Sequence, residues 1–351
     1  MAYICEMPTI FPAIYSTLSP SALAVFLSEN YDLGNTQCAL ITRGVGDTYS
    51  VDAPGHRAIL RVYRSSHRSY DQVDAEVSLL SALHTAGVRV SYPIADRSGR
   101  LIQELPAAEG VRMAVLFTYA PGKPVTAPND AQLRDLGRQM ARFHEVSAAK
   151  AAADLAGSAD GREPGHAADS RWTFDTETTL FRPLEQLKPY LEDEDHAWLE
   201  KAALEIDARL SRMDTREWGT GYCHYDFLPK NFHFEEDRVT LFDFDFMGWG
   251  WLVNDLMTFW QHYELDVYLG RTSRAEADRA YHAFLEAYAE RRPLRPDEAE
   301  AVPLLGLGFW LFYMSFHTTH DQFLAFVQPS VLPPKLRFMR HLVENRAGIH
   351  I

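Results

Sequence analysis

The spacing of apolar positions changes character once along the chain, near residue 120. Before that point apolar residues come in short alternating runs. Cys38 to Thr42 and Thr48 to Asp52 read as strands joined by the loop Arg43-Gly44-Val45-Gly46-Asp47, and Ala58 to Tyr63 reads as a third strand after the Ala53-Pro54-Gly55 turn. Ser19 to Glu29 predicts a preceding short helix, with Ser19 at its N-cap and Pro20 in its first turn. Val73, Val77, Leu80 and Leu83 recur at helical intervals over Asp71 to Thr85, a helix that carries Glu76 and that Gly87 stops. Arg100 to Leu105 and Arg112 to Tyr119 supply two more strands, the second ending at Pro121-Gly122, where a small lobe hands over to a large one.

Beyond that turn the period becomes helical. Asn129 or Asp130 caps a helix whose Leu133, Leu136, Met140 and Phe143 form one apolar stripe. Ala148 to Ser170 is rich in Ala, Gly and Asp; after an initial helical extension it predicts a flexible loop over 148–170, because little burial offsets the entropy of ordering it. A helix around Glu194 to Met213, a strand-and-loop section from Thr220 to Met247 and mainly helical segments from Asp255 onward complete the chain. Strands gather before residue 120 and helices after it. That segregation predicts an α+β protein of two lobes, 1–120 and 121–351, and argues against a parallel βαβ sheet.

Composition narrows the partners. Over 351 residues, 46% hydrophobic and 23% charged is an ordinary globular balance. A formal charge of −14 disfavours nucleic acid and anionic membrane faces and suits neutral or cationic ligands. The three cysteines Cys5, Cys38 and Cys223 form no CxxC pair, so neither a disulfide framework nor a cysteine zinc site is expected. The most apolar late segment, Pro303 to Phe316, is too short to cross a bilayer, and the expected location is cytoplasmic.

The chemistry concentrates in Gly221-Tyr222-Cys223-His224-Tyr225-Asp226-Phe227-Leu228-Pro229-Lys230-Asn231, followed by Val239-Thr240-Leu241-Phe242-Asp243-Phe244-Asp245. Transfer of a phosphoryl group to an alcohol needs an acceptor for the hydroxyl proton and oxygen ligands that hold Mg²⁺ on the phosphates, and Asp226, Asn231 and Asp243 supply those groups. The order H-x-D-x-x-x-x-N, a short strand, then D-F-D resembles the loops shared by protein kinases and the aminoglycoside phosphotransferase and choline kinase superfamily. The resemblance implies a protein-kinase-like two-lobed fold and an ATP- and Mg²⁺-dependent phosphotransferase. Asp226 then corresponds to the catalytic aspartate, Asn231 and Asp243 to metal ligands, and Asp245 to an assisting acid of the small-molecule branch; His224 is structural.

The resemblance also assigns a nucleotide site to the first lobe. Gly44 and Gly46 occupy the place of the phosphate-covering loop, and Arg61 stands where the family has lysine, with Glu76 as its partner. Phe117 and Tyr119 correspond to the segment whose backbone receives adenine. Asp255 matches a further family aspartate that stabilises the core. The implied acceptor is a hydroxyl-bearing small molecule, amino-bearing ones among them, with no nucleic acid or membrane partner and no oligomeric state specified. A stress-response type of serine/threonine protein kinase and a nucleotide-binding pseudokinase are the competing readings, the second motivated by Arg61 and the sparse glycine loop. Trp249 and Trp251 line an acceptor pocket or pack a tight turn, and Phe309 to Phe316 is chiefly core.

Overall fold

Strand alternation in the first part of the chain closes into one sheet. The computed structural model describes residues 11–157 and 171–351, in two units: the chain up to Val77 with Tyr92–Tyr119, and Ser78–Ser91 with Ala120–Ile351. In the first, α1 (Pro20–Asn30) precedes β1 (Gln37–Arg43), β2 (Asp47–Ala53) and β3 (His56–Val62), and β4 (Ile102–Ala107) and β5 (Gly110–Thr118) complete a five-stranded sheet of order β1-β2-β3-β5-β4. All neighbours pair antiparallel. Pro106 is tolerated because β4 is an edge strand, where a missing N–H leaves no ladder bond unmade. Every second residue of β2 and β3 is buried, so Tyr49, Val51, Ala58, Leu60 and Val62 form a core with Leu23, Leu27 and Tyr31 of α1 and its C-cap. Helix α2 (Tyr70–Thr85) contributes its residues up to Val77 to the first unit and those from Ser78 to the second.

One buried ion pair pins this sheet at the glycine loop. Arg112 on β5 is fully buried, 3.1 Å from Asp47 at the start of β2, and it also donates to the carbonyls of Ser16, Val62 and Tyr63. With its donors satisfied, the guanidinium can stay in a dry interior, and it holds the residue that directly follows Gly46.

The second unit is mainly helical. It contains α3 (Asp130–Gly157), β6 (Trp172–Phe174), α4 (Arg182–Leu187), α5 (Asp193–Leu210), β7 (Thr220–Cys223), β8 (Phe232–Glu235), β9 (Arg238–Leu241), β10 (Gly248–Trp251), α6 (Val253–Tyr268), α7 (Arg274–Ala289), α8 (Pro296–Phe316) and α9 (Leu332–His341). Asn129 caps α3 reciprocally with Gln132: each side-chain oxygen accepts from the other's backbone N–H, at 2.9 and 3.0 Å. Of the expected flexible stretch 148–170, residues 148–157 continue α3, as an alanine-rich sequence allows, and 158–170 lie outside the described residues. Gly137 sits where α3 meets α7: a Cβ there would lie 2.2 Å from the Phe284 carbonyl oxygen.

Two expectations change. Gly248-Trp249-Gly250-Trp251 is no tight turn; it is β10, paired parallel to β6 and antiparallel to β7. The apolar segment expected to be too short to cross a bilayer, Pro303 to Phe316, is part of a longer helix, because α8 starts at Pro296 and runs 21 residues through Pro303. That length would span a bilayer, but 72% of its most apolar stretch is buried in the fold, so its hydrophobicity serves the core. A sheet unit followed by a helical unit is the protein-kinase-like, two-lobed α+β arrangement expected from the sequence.

Candidate active site

The loop after β7 is closed on itself by its own side chains. Asn231 Nδ2 donates to both the backbone carbonyl and the Oδ2 of Asp226, each at 2.8 Å, and Lys230 Nζ lies 2.7 Å from the same Oδ2. Asp226 is 2% exposed, yet its Oδ1 is buried without a hydrogen-bond partner among the described residues. One edge of the carboxylate is therefore fixed and the other is left to accept. His224 is fully buried and joins the two acidic loops: its Nδ1 accepts from the Asp226 N–H at 3.3 Å, so its Nε2 carries the proton and donates to the Phe242 carbonyl at 3.0 Å. The structural role expected of His224 is what this geometry gives it.

Two residues here adopt left-handed backbone conformations that side chains disfavour: Tyr225, φ 59°, and Asp243, φ 63°. Each costs on the order of 1–3 kcal/mol and persists only where its surroundings impose it. For Tyr225 the restraints are visible. Asp255, at the start of α6, accepts from the His224 N–H at 2.8 Å and the Tyr225 N–H at 2.7 Å, and the Tyr225 ring stacks on Phe174 with centroids 3.6 Å apart. Asp255 is itself held by His144 Nε2 at 3.0 Å, whose Nδ1 meets the Tyr288 hydroxyl at 2.8 Å. Burial pushes the His144 pKa down despite the carboxylate beside it, so the ring is neutral, donating from Nε2 and accepting from Tyr288. Three helices, α3, α6 and α7, thus set the conformation of the residue before Asp226.

Asp243 is exposed at the end of the strand leading from β9, while Asp245 is buried at 1% exposure. The Asp245 backbone carbonyl accepts from Arg171 at 2.7 Å, and its carboxylate lies 3.9 Å from the same guanidinium. Among the described residues no three His, Cys, Asp or Glu side chains gather as a metal cluster. The oxygen set nevertheless fits Mg²⁺, which is commonly held by one or two carboxylates and substrate phosphates: the Asn231 amide nitrogen is committed to Asp226, turning its oxygen elsewhere, and Asp243 is an exposed carboxylate. Tyr313 of α8 also belongs here. Its buried hydroxyl neighbours Asp226 without completing a hydrogen bond of ordinary geometry, and burial followed by the Asp226 charge pushes the phenol well above its usual pKa. Cys223, whose thiol is raised by burial and by Asp255, is inert.

The other predicted residues lie in the first unit. Gly44 and Gly46 form the β1–β2 loop, in which the Gly44 N–H donates to the Gly46 carbonyl at 2.9 Å. A Cβ on Gly46 would lie 3.0 Å from the Val62 carbonyl, so packing explains that glycine; one on Gly44 would meet nothing nearer than 3.7 Å, so the fold alone does not require it. Arg61 is half-buried on β3 with its guanidinium 5.6 Å from the Tyr63 ring centroid, and Glu76 on α2 is 1% exposed. Phe117 is buried in β5, and Tyr119 receives the Arg57 guanidinium on its ring at 4.1 Å. Sequence reasoning passed over Lys230, Tyr313, His144 and Arg171. Lys230 was legible as a cation four residues after Asp226; Arg171 and Tyr313 carried no local signal, since only folding brings them to the acidic loops.

Residues 38–296 match the family described as phosphotransferase enzymes. The chain is 36% identical over 309 residues to an uncharacterized protein of Deinococcus radiodurans, covering 87% of this chain and 83% of that one. It is 26% identical over 350 residues to the homoserine kinase of Caulobacter vibrioides, covering 96% and 98%. Among solved structures, the amicoumacin kinase hAmiN in complex with AMP-PNP, Ca²⁺ and Ami has a similar fold, with a TM-score of 0.72 over 94% of each chain at 17% identity.

Proposed function

The chain belongs to the phosphotransferase enzyme family, and from that membership we propose that it is a cytosolic kinase that moves the γ-phosphoryl group of ATP, with Mg²⁺, to the hydroxyl of a small molecule. The observation that carries this reading is the state of Asp226: Oδ2 is fixed by Asn231 and Lys230, while Oδ1 is buried and unpartnered among the described residues. That is what a proton acceptor requires, a carboxylate positioned before the alcohol arrives. The acceptor oxygen bonds to the γ-phosphorus as its proton passes to Asp226, the bond from phosphorus to the bridging oxygen breaks, and ADP leaves. Asn231 and Asp243, with Asp245 assisting, would hold Mg²⁺, which when bound would neutralise charge on the phosphates.

The chain's own residues supply positioning. The Asp255 clamp fixes the backbone before Asp226, and His224 ties that loop to the segment carrying Asp243. In the first unit, Gly44 and Gly46 give the backbone approach to phosphate, Arg61 with Glu76 contributes positive charge, and the backbone of Phe117 to Tyr119 receives the base. Arginine in place of lysine offers a planar fork instead of a point charge, which keeps the charge and alters the geometry of the phosphate contact. The homoserine kinase and amicoumacin kinase relatives favour a small-molecule acceptor over a protein one. Incubation with Mg²⁺-ATP and a broad panel of alcohols, read by mass detection of phosphorylated products, tests the proposal. ATP bound but no product across the panel would reduce the protein to a nucleotide-binding module.

A further inference from the structure

The last turn of α8 brings Tyr313 to Asp226, and His317, four residues on, follows as the C-cap of that helix. Tyr313 feels the Asp226 charge, and His317 lies close enough to Lys230 and Lys335 for both ammonium groups to act on it. Lys335, in the first turns of α9, is half-buried. Its Nζ donates to the Phe326 carbonyl at 2.6 Å and stands 5.8 Å from the Phe326 ring centroid, and it has no carboxylate partner among the described residues. The His317 ring lies 5.1 Å from that of Phe326, with its Nδ1 buried and lacking a hydrogen-bond partner among the described residues.

A half-buried lysine answered by a carbonyl and a ring, with no carboxylate among the described residues, leaves a positive charge to which an anion can be added. His317 complements it. Burial first, then Lys335 and Lys230, push its pKa down to about 4, so at neutral pH the ring offers hydrogen bonding without adding charge. We propose that the alcohol accepted by this protein carries a carboxylate, bound by Lys335 and His317, with its hydroxyl turned to Asp226. This rests on the phosphotransferase reading above. A carboxylate suits the site better than a phosphate, because one ammonium beside a neutral imidazole balances a single negative charge, whereas a phosphate monoester carries roughly 1.5 to 2. Lys230 is already engaged by Asp226. An acceptor whose only charge is positive would meet two lysines.

The test compares matched probes on the full chain: 4-hydroxybutanoate against 4-hydroxybutanamide, and L-homoserine against L-homoserine amide. Binding is measured by calorimetry, and Mg²⁺-ATP turnover is followed separately. Each carboxylate is expected to bind at least tenfold more tightly than its amide, Lys335→Gln to erase that preference, and Lys335→Arg to keep part of it. The wild-type comparison decides the matter even if K335Q does not fold. Absence of discrimination in both pairs, absence of binding included, overturns the proposal, as does a preference that K335Q leaves unchanged. Transfer to neutral or cationic alcohols that K335Q does not affect would sink the carboxylate site and leave the kinase reading standing. Carboxylate discrimination without ATP consumption for any alcohol would do the reverse.

Discussion

At the scale of single residues, Asp226 joins the folded structure to the proposed chemistry, because its two oxygens have been given different work. Replacing it with asparagine keeps the shape and removes the proton acceptor. Asp226→Asn is expected to lower turnover by about 10²–10⁴-fold while leaving ATP affinity within a factor of a few, as measured by steady-state kinetics beside nucleotide titration. A comparable loss of ATP binding would place Asp226 in nucleotide binding instead. Asp255 is a positioning residue of another kind, since it touches two backbone amides and an imidazole N–H. In Asp255→Asn one of those donors faces an NH₂ group, and the unfolding free energy should fall by about 2–4 kcal/mol. Denaturant titration checks this, and a change within about 0.5 kcal/mol would mean that the clamp is not under load.

At the scale of elements, the loops carrying the chemistry are short and the helices bracing them are long. Helix α3 contributes His144 to the Asp255 relay and can do so only if it packs closely on α7, which supplies Tyr288. Gly137 permits that approach. A mid-helix glycine ordinarily costs about 1 kcal/mol relative to alanine, but here alanine would thrust a methyl group to 2.2 Å from the Phe284 carbonyl. Gly137→Ala should therefore destabilise the chain by about 1–3 kcal/mol, against the helix-propensity trend. A higher melting temperature in G137A would show that α3 and α7 can separate without loss.

At the scale of the whole molecule, burial holds several histidines neutral: His144, His262, His317 and His341 all have pKa values pushed below the ordinary one, with burial the largest cause in each. The unfolded chain therefore takes up more protons than the folded one as the solution is acidified. For His317 the contribution is complete above about pH 6.5, where the unfolded ring is neutral, and is lost progressively as pH falls toward about 4, its folded value. Urea midpoints measured between pH 7 and pH 4.5 should decline, and His317→Gln should make that decline shallower. An identical slope in H317Q would remove His317 from the account. The formal charge of −14 gives no hint of this behaviour, nor of the lysine beside Asp226, because a sum over the chain says nothing of where charges lie.

What could be read from the sequence alone was whatever is local or ordered along the chain. The strand runs, the Asn129 cap, the segregation of sheet and helix, and the spacing from His224 to Asn231 depend on neighbours a few residues apart, so periodicity and motif order reveal them. The tertiary structure decided what depends on distant partners. Pro303 was tolerated within a longer helix, and Gly248 to Trp251 became a strand because β6 and β7 lie on either side of it. Asp245 met Arg171, Tyr313 came to Asp226, and Lys335 was left half-buried without a carboxylate among the described residues. The proposed phosphotransfer chemistry was legible because its residues sit together on two short loops. The proposed character of the acceptor was not, because Tyr313, His317 and Lys335 stand far along the chain from Asp226.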